Sequence, residues 1–346
     1  MTKGRLQHVT QNYLSRLQAR EAKAEQALEA GYKHTLASIQ PKLDALYDQM
    51  VEAMAGGEQI PLHWLYEANR LQSLTRFIEN QMNHFGALTD MQVRQLQHYA
   101  VDLGSDAAMN QLQATLPPGS IYAFNEPNVK AIANIIGATQ SGSPLADLFA
   151  GFGSEAAQKA SDALILGITT GQHPRTVAND IQQALGVSRA RALTIAQNEM
   201  MRAFRSSSLE TYQANSNIVS GWQWLASLGS ACIACTEENG SIHPLDEDMA
   251  SHVRCRCTMV PVTKSYSNIL GIDVGDNGSS GMLIPDGSEW FARQDESTQR
   301  QILGSDARYE AYQNGVSLKD MVGIKHDPDW GSSIYIKPLK DLVKAR

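Results

Sequence analysis

All four cysteines of the chain lie between Cys232 and Cys257. They form the pair Cys232-Ile233-Ala234-Cys235 and the pair Cys255-Arg256-Cys257, with His252 just before the second. A C-x-x-C turn brings two sulfurs to one side, and on an extended strand residues two apart share a face. Four thiolates, or three with His252 as the alternative ligand, satisfy the tetrahedral preference of zinc. With four protein ligands no coordination position stays open, so a zinc held here is structural rather than catalytic. Reduced, unliganded cysteines fit the same residues. A redox C-x-x-C fits less well, because no thioredoxin-like βαβ pattern surrounds it.

Other residues whose chemistry matters carry weaker signals. Glu237, Glu238, His243, Asp246, Glu247 and Asp248 crowd the stretch between the two cysteine pairs. Carboxylates with a histidine are the ligands of a catalytic metal, but nothing in the spacing draws these to a common point, and a solvated loop is the simpler reading. Gly151-Phe152-Gly153-Ser154-Glu155-Ala156 has the letters of a dinucleotide fingerprint. It follows a helical rather than a strand pattern, so it reads as a helix break. Asp273-Val274-Gly275-Asp276-Asn277-Gly278 fails as a calcium loop and reads as a turn. His326-Asp327-Pro328-Asp329 reads as a polar turn. Glu199 and Arg202 stand three apart on a helix, either as an exposed pair worth a few tenths of a kcal/mol or as a buried pair supporting the cysteine region. No Gly-x-Ser-x-Gly elbow and no phosphate-binding loop occur.

The elements that must position these groups are mostly helical. The 346 residues suffice for two domains or for one with a long helical extension. Apolar residues at 42% and charged residues at 19% exclude a disordered chain. A net charge of −7 argues against a protein that wraps duplex DNA, which leaves a zinc-ribbon DNA-binding protein as a disfavoured reading. No apolar run is long enough to span a membrane, and the opening residues lack a signal-peptide stretch, so the expectation is synthesis in a reducing cytoplasm. Leu6, Val9, Tyr13 and Leu17 form one helical stripe, and Leu71, Leu74, Ile78, Met82 and Phe85 form another. Pro41 reads as a helix start, Gly56-Gly57 as a stop, Pro61 as a restart, and Thr89-Asp90-Met91-Gln92 as the cap of a third helix after Gly86. Leu116-Pro117-Pro118-Gly119-Ser120 marks a domain boundary, and Gln140-Ser141-Gly142-Ser143-Pro144 a weaker link. Gly186 and Ser188 read as the stop of one helix and the cap of the next. Residues 218–225 and 257–262 read as strands, 265–287 as loop, and 288–314 as a final helical stretch. The fold class is α+β: a long, mostly helical N-terminal region over 1–118, a helix-rich domain with a small β-sheet and the cysteine cluster over 119–264, and a loop and helical tail over 265–346.

The order of these pieces is specific. Ala192-Leu193-Thr194-Ile195-Ala196-Gln197-Asn198-Glu199 leads to Trp222-Gln223-Trp224, then to Cys232-x-x-Cys235, Asn239-Gly240 and Ser251-His252-Val253-Arg254-Cys255-Arg256-Cys257. This series resembles the phage Mu F-like family of minor head proteins, also called the phage head morphogenesis family. Val253 stands where that family usually has Pro, and Asn198 where it usually has Thr. The segments at 290–294, 301–304 and 318–322 are similar to the tail of many members, and the resemblance covers about residues 145–325. It implies a structural minor head protein of a tailed bacteriophage, located in the virion at the head interior or portal vertex. The implied partners are the portal protein, scaffold or major capsid protein, and packaged DNA, with no membrane. It also implies zinc at Cys232, Cys235, Cys255 and Cys257, and no enzymatic activity. The rival enzymatic reading is a toxin-type ADP-ribosyltransferase or nuclease, but no convincing catalytic set follows Val262.

Overall fold

The computed structural model describes residues 2–55, 59–116, 122–139, 142–270, 284–327 and 331–342. Three long helices dominate: α1 (Thr2–Ala53), α2 (Arg70–Thr115) and, later, α5 (Pro174–Ala214). Between them lie two 3₁₀ turns (Leu62–Leu65 and Glu67–Asn69), α3 (Val129–Ile135) and α4 (Leu145–Thr169). The chain continues through β1 (Val219–Leu225), α6 (Ile233–Glu238), β2 (Ile242–His243), β3 (Thr258–Thr263) and α7 (Tyr266–Leu270). It ends with α8 (Gly287–Ala292), α9 (Glu296–Leu303), α10 (Asp306–Gln313), α11 (Leu318–Met321), β4 (Val322–Asp327), β5 (Gly331–Ile336) and α12 (Leu339–Leu342). The residues group into two compact units, one of 1–19, 97–143 and 198–346, the other of 20–96 and 144–197. The units do not follow chain order, because α1, α2 and α5 each contribute a length to both.

The all-helical unit is packed on apolar stripes. Leu28, Tyr32, Ile39 and Leu43 of α1, Ile78, Met82 and Phe85 of α2, Phe149 and Phe152 of α4, and Ile181 and Leu185 of α5 are all buried. Tyr32 meets Phe85 edge-on at 5.6 Å between ring centres, and Phe149 meets Phe152 edge-on at 5.5 Å. Arg189 and Glu29 close an ion pair on this unit, and that pairing holds the Glu29 carboxyl below its ordinary range.

Local breaker signals lose to these stripes. Pro41 lies inside α1, and the helix runs on through it because Ile39, Leu43, Leu46 and Met50 continue one buried face. Thr89 caps nothing: its hydroxyl donates to the Phe85 carbonyl at 2.8 Å within a continuous α2. Gly186 and Ser188 likewise sit inside an unbroken α5. Gly151 and Gly153 lie within α4, so the expected break there is absent. Pro61 precedes a 3₁₀ turn rather than a long helix. Gly56-Gly57, residues 117–121 of the proline-rich boundary, residues 140–141 of the weaker link, the 273–278 turn and residues 328–330 lie outside the described residues.

Several of these glycines are explained by close helix contact. A Cβ on Gly86 would lie 2.6 Å from the Phe149 carbonyl oxygen, and one on Gly153 would lie 2.6 Å from that of Glu79, so α2 and α4 meet backbone to backbone. In the mixed unit Gly104 does the same on α2, where a Cβ would lie 2.3 Å from the Phe204 oxygen of α5.

The mixed unit carries the sheet, in the order β2-β1-β3, all antiparallel. Trp222 pairs with His243 and Pro261, and Trp224 with Met259. The two tryptophans point to one face, as alternation requires, and both are buried. Ala108, Leu112 and Tyr212 from the long helices share this core with Trp222, Trp224 and Met259, and so do Cys235, Cys255 and Cys257. A second cluster under α8 to α12 centres on Phe291, Leu303 and Met321. The final helical stretch expected from Ser288 is three short helices, each opened by a capping side chain (Asp286, Asp295, Ser305). After them comes the β4–β5 hairpin, which periodicity did not reveal. His326 and Asp327 end β4, so they belong to strand rather than turn.

The two glycines of α4 yield opposite expectations. Gly151 has open space where a Cβ would go, whereas Gly153 faces the Glu79 carbonyl. Gly151→Ala should stabilise the protein by roughly 0.5–1 kcal/mol through lower backbone entropy. Gly153→Ala should destabilise it by about 1–3 kcal/mol. Thermal melts of the two variants should therefore shift in opposite directions, and shifts of one sign would show that α2 and α4 do not meet as described.

Candidate metal centre

The first cysteine pair is placed by α6. Cys232 is its N-cap with extended backbone, and its carbonyl accepts from the Thr236 N–H at 2.9 Å. Cys235 follows one helical turn later, which puts both sulfurs on one side. The second pair lies in the irregular segment that leads into β3. There the Cys255 N–H donates to the His252 carbonyl at 3.1 Å, closing a tight turn. Arg254 in that turn has φ of 61°, the left-handed region, and its N–H donates to Asn198 Oδ1 at 2.8 Å. Asn198, one of the two departures from the family pattern, thus holds the loop from α5. The other, Val253, is exposed, and its carbonyl lies 2.8 Å from His252 Nδ1.

His252 Nε2 stands 3.2 Å from Cys232 Sγ and 3.0 Å from Cys235 Sγ. Cys235 Sγ stands 3.7 Å from Cys255 Sγ. Two donor triads result, Cys232–Cys235–His252 and Cys235–Cys255–Cys257, each with its atoms within 4.8 Å of one another. They share Cys235. No disulfide links the four cysteines, and all but Cys232 are buried. The proximity of the sulfurs sorts their protons. The hydrogen bond from Cys235, helped by His252, pulls Cys232 down to about 4. Hydrogen bonds from Cys235 and Cys257 hold Cys255 well below the usual thiol range, with the charges of Arg205 and His252 acting in the same direction. Cys235, hydrogen-bonded to Cys232, moves up. His252 rises to about 9, first through its bond to Cys232. The cluster gathers four sulfurs and an imidazole around Cys235, which is the donor chemistry of a thiophilic metal site.

The acidic stretch is organised differently. Trp222 stacks on the His243 ring at 4.2 Å, and the indole N–H donates to the Glu247 carbonyl at 3.0 Å. His243 Nε2 lies 2.8 Å from Ser241 Oγ, and Nδ1 lies 3.0 Å from Glu247 Oε1. Ser241, His243 and Glu247 thus have the hydrogen-bond order of a hydrolytic triad. The surroundings oppose that chemistry. The Glu238 carboxylate lies 3.0 Å from Ser241 Oγ, where a developing oxyanion would be repelled. The Gly240, Ser241 and Trp224 N–H groups are spent on the carbonyls of Trp224, Glu238 and Ser241, so none of them serves an oxyanion hole. Glu237 accepts from Ser288 Oγ. Among the described residues, no set from this stretch converges on one ion as the cysteine and histidine triads do.

Glu199 and Arg202 form a buried pair, not an exposed one. Glu199 is 1% exposed, and its carboxylate accepts from Arg202 at 2.7 Å and from Gln97 Nε2 at 2.8 Å. Burial still raises the Glu199 carboxyl above its ordinary range, against the pull of Arg202. Arg202 also donates to the Ile135 carbonyl at 3.0 Å. Sequence reasoning missed Arg205 altogether. It lies one turn further along α5, 6% exposed, and donates to the backbone of both Cys255 and Cys257.

The family model for phage Mu protein F like protein matches residues 158–260. Over this segment the chain is similar to the Mu F-like phage head morphogenesis proteins. It runs from within α4 to β3 and contains the four cysteines, His252, Glu199 and Arg205; the tail segments after 260 lie outside it. No curated protein and no solved structure matches the chain. No helix of the described residues is long and apolar enough to cross a membrane.

Removing one partner of a buried ion pair leaves an uncompensated charge, at a cost of about 3–5 kcal/mol. Arg202→Met should therefore destabilise the Mu F-like segment by that order, and Glu199→Gln by less. In the Arg202→Met variant the Glu199 carboxyl loses both lowering influences of Arg202, so its folded pKa rises further above the unfolded value. The native state then binds more protons than the unfolded state over that interval, and stability must fall as pH rises through it. Urea titrations of Arg202→Met and the parent across the acidic to neutral range check the sign. A variant that gains stability with rising pH would refute the buried pairing.

Proposed function

We propose that the chain is a non-enzymatic structural protein of the phage head that acts at the portal vertex, with its Mu F-like segment stiffened by a structural zinc ion. The observation that carries this reading is the position of the cysteine and histidine cluster. It lies inside the matched segment, and Cys235, Cys255 and Cys257 belong to a hydrophobic core. The donors fit zinc in kind, and one sulfur pair fits it in spacing. A tetrahedral ion with zinc–sulfur bonds of about 2.3 Å holds its sulfurs about 3.8 Å apart, and Cys235 and Cys255 stand 3.7 Å apart. When bound, zinc would act as a fourfold cross-link with no position left for substrate. Cys232 and Cys235 would tie α6, and the 252–257 segment would tie the entrance to β3. The long helices supply partner-binding surface for the portal protein, and for scaffold, major capsid protein or packaged DNA beside it.

Quantitative mass spectrometry of purified procapsids and mature capsids tests the assignment. A few copies per portal ring is the expected result. Absence from both particles would overturn the structural reading. Metal analysis of the purified chain should give one zinc per chain, and stripping it with a chelator should lower the melting temperature reversibly. A metal-free chain that melts at the same temperature with and without added zinc would overturn the zinc assignment.

A further inference from the structure

The cluster offers five donors where a tetrahedral ion takes four, and the structure around it distinguishes between them. His252 is the first discriminator. Its Nδ1 faces the Val253 carbonyl at 2.8 Å, so the ring is anchored through that nitrogen and presents Nε2 to the sulfurs of Cys232 and Cys235. An imidazole fixed by a carbonyl on one nitrogen, with the other turned to the ligand cluster, is the arrangement of a metal-bound histidine. The C-x-C pair is the second. The Cys257 N–H donates to Cys255 Sγ at 3.4 Å, so within this pair Cys255 receives the backbone bond that supports a thiolate.

Arg205 is the third. Its Nε and Nη2 donate to the Cys257 carbonyl at 2.9 and 2.6 Å, Nη2 donates to the Cys255 carbonyl at 2.9 Å, and Nη1 donates to Ser251 Oγ at 2.6 Å. These partners are neutral, and a guanidinium keeps its charge when buried. Its burial is compensated only if negative charge lies close by, and the adjoining sulfurs are the groups placed to supply it. The charge arithmetic then separates the two ligand sets. A divalent ion with three thiolates and a neutral imidazole carries −1, which Arg205 cancels. A divalent ion with four thiolates carries −2 and leaves one buried charge unbalanced.

We infer that one divalent ion is held by Cys232, Cys235, Cys255 and Nε2 of His252, that Cys257 stays outside the coordination sphere, and that Arg205 is the positioning residue that fixes the C-x-C backbone and neutralises the complex. This rests on the metal reading above and narrows it.

The test uses the full-length chain with Zn²⁺ and Co²⁺ as probes, cobalt because its sulfur-to-metal charge-transfer absorption reports the number of thiolates. The parent chain should bind one ion per chain. Cys257→Ser should bind one ion with unchanged charge-transfer intensity, whereas Cys255→Ser should lose intensity and His252→Ala should change the ligand-field bands. Arg205→Met should bind about 10–100-fold more weakly, the usual effect of removing a group that orients a ligand. Arg205→Lys should recover part of that loss, because an ammonium supplies the charge but not the fork to two carbonyls. Melting in chelator shows whether an Arg205 variant still folds; should Arg205→Met fail to fold, Arg205→Lys carries the comparison. If the parent binds neither ion, the metal reading itself fails. If the parent binds and Cys257→Ser loses cobalt intensity, the site has four thiolates and the donor assignment fails alone. If Arg205 variants bind as tightly as the parent, with melting lowered equally with and without metal, Arg205 is merely structural and its positioning role is overturned.

Discussion

Taking a guanidinium out of water costs several kcal/mol unless the protein replaces every interaction it gives up. In the mixed unit Arg205 meets part of that cost with bonds to Ser251 Oγ and the carbonyls of Cys255 and Cys257. Those bonds settle where the C-x-C segment must lie relative to α5. β3 begins directly after Cys257 and pairs with β1, so the anchoring of Cys257 also bears on the register that sets Trp224 against Met259. The tryptophan face in turn packs with Ala234 and Cys235 of α6 in one core. Sheet register, cysteine placement and α6 therefore lean on one buried cation.

Arg202 and Arg205 show the same device used twice from one helix. Irregular segments carry carbonyls with no ladder partner, and a buried carbonyl must be satisfied. Arg202 reaches the Ile135 carbonyl at the end of α3, and Arg205 reaches those of Cys255 and Cys257. A guanidinium suits this task because its donors form a planar fork that can serve two oxygens at once. The two differ in how the charge is met. Arg202 has a buried carboxylate, Glu199, whereas the charge of Arg205 acts on the Cys255 sulfur. The asymmetry is why the sulfurs of the cluster bear on the stability of this unit.

What the sequence made legible follows from the same physics. The strands at Trp222 and Val260 and the proximity of the cysteine pairs to His252 were visible because alternation and short spacing are local. The helix interruptions were misread because Pro41, Gly86 and Gly186 are strong local signals that the buried stripes of continuous helices override. Gly86 is small because the Phe149 backbone passes against it, not because a helix ends. Arg205 was invisible for a similar reason: an arginine on a helix reads as solvent-facing, and only the returning 251–257 segment makes it a buried clamp. The β4–β5 hairpin escaped because its residues are half exposed and its pattern weak, with Ile324 and Tyr335 pointing outward.

A tetrahedral ion at this cluster would act where the fold has least support of its own. α6 is six residues long, β2 is two, and the 244–257 segment between β2 and β3 has no regular structure. Such short elements gain little from intrinsic propensity or from cooperative backbone hydrogen bonding. Bonds from one ion to both α6 and the C-x-C turn would close a loop whose entropy cost otherwise falls on packing alone. Such an ion would add rigidity to this unit without a larger core.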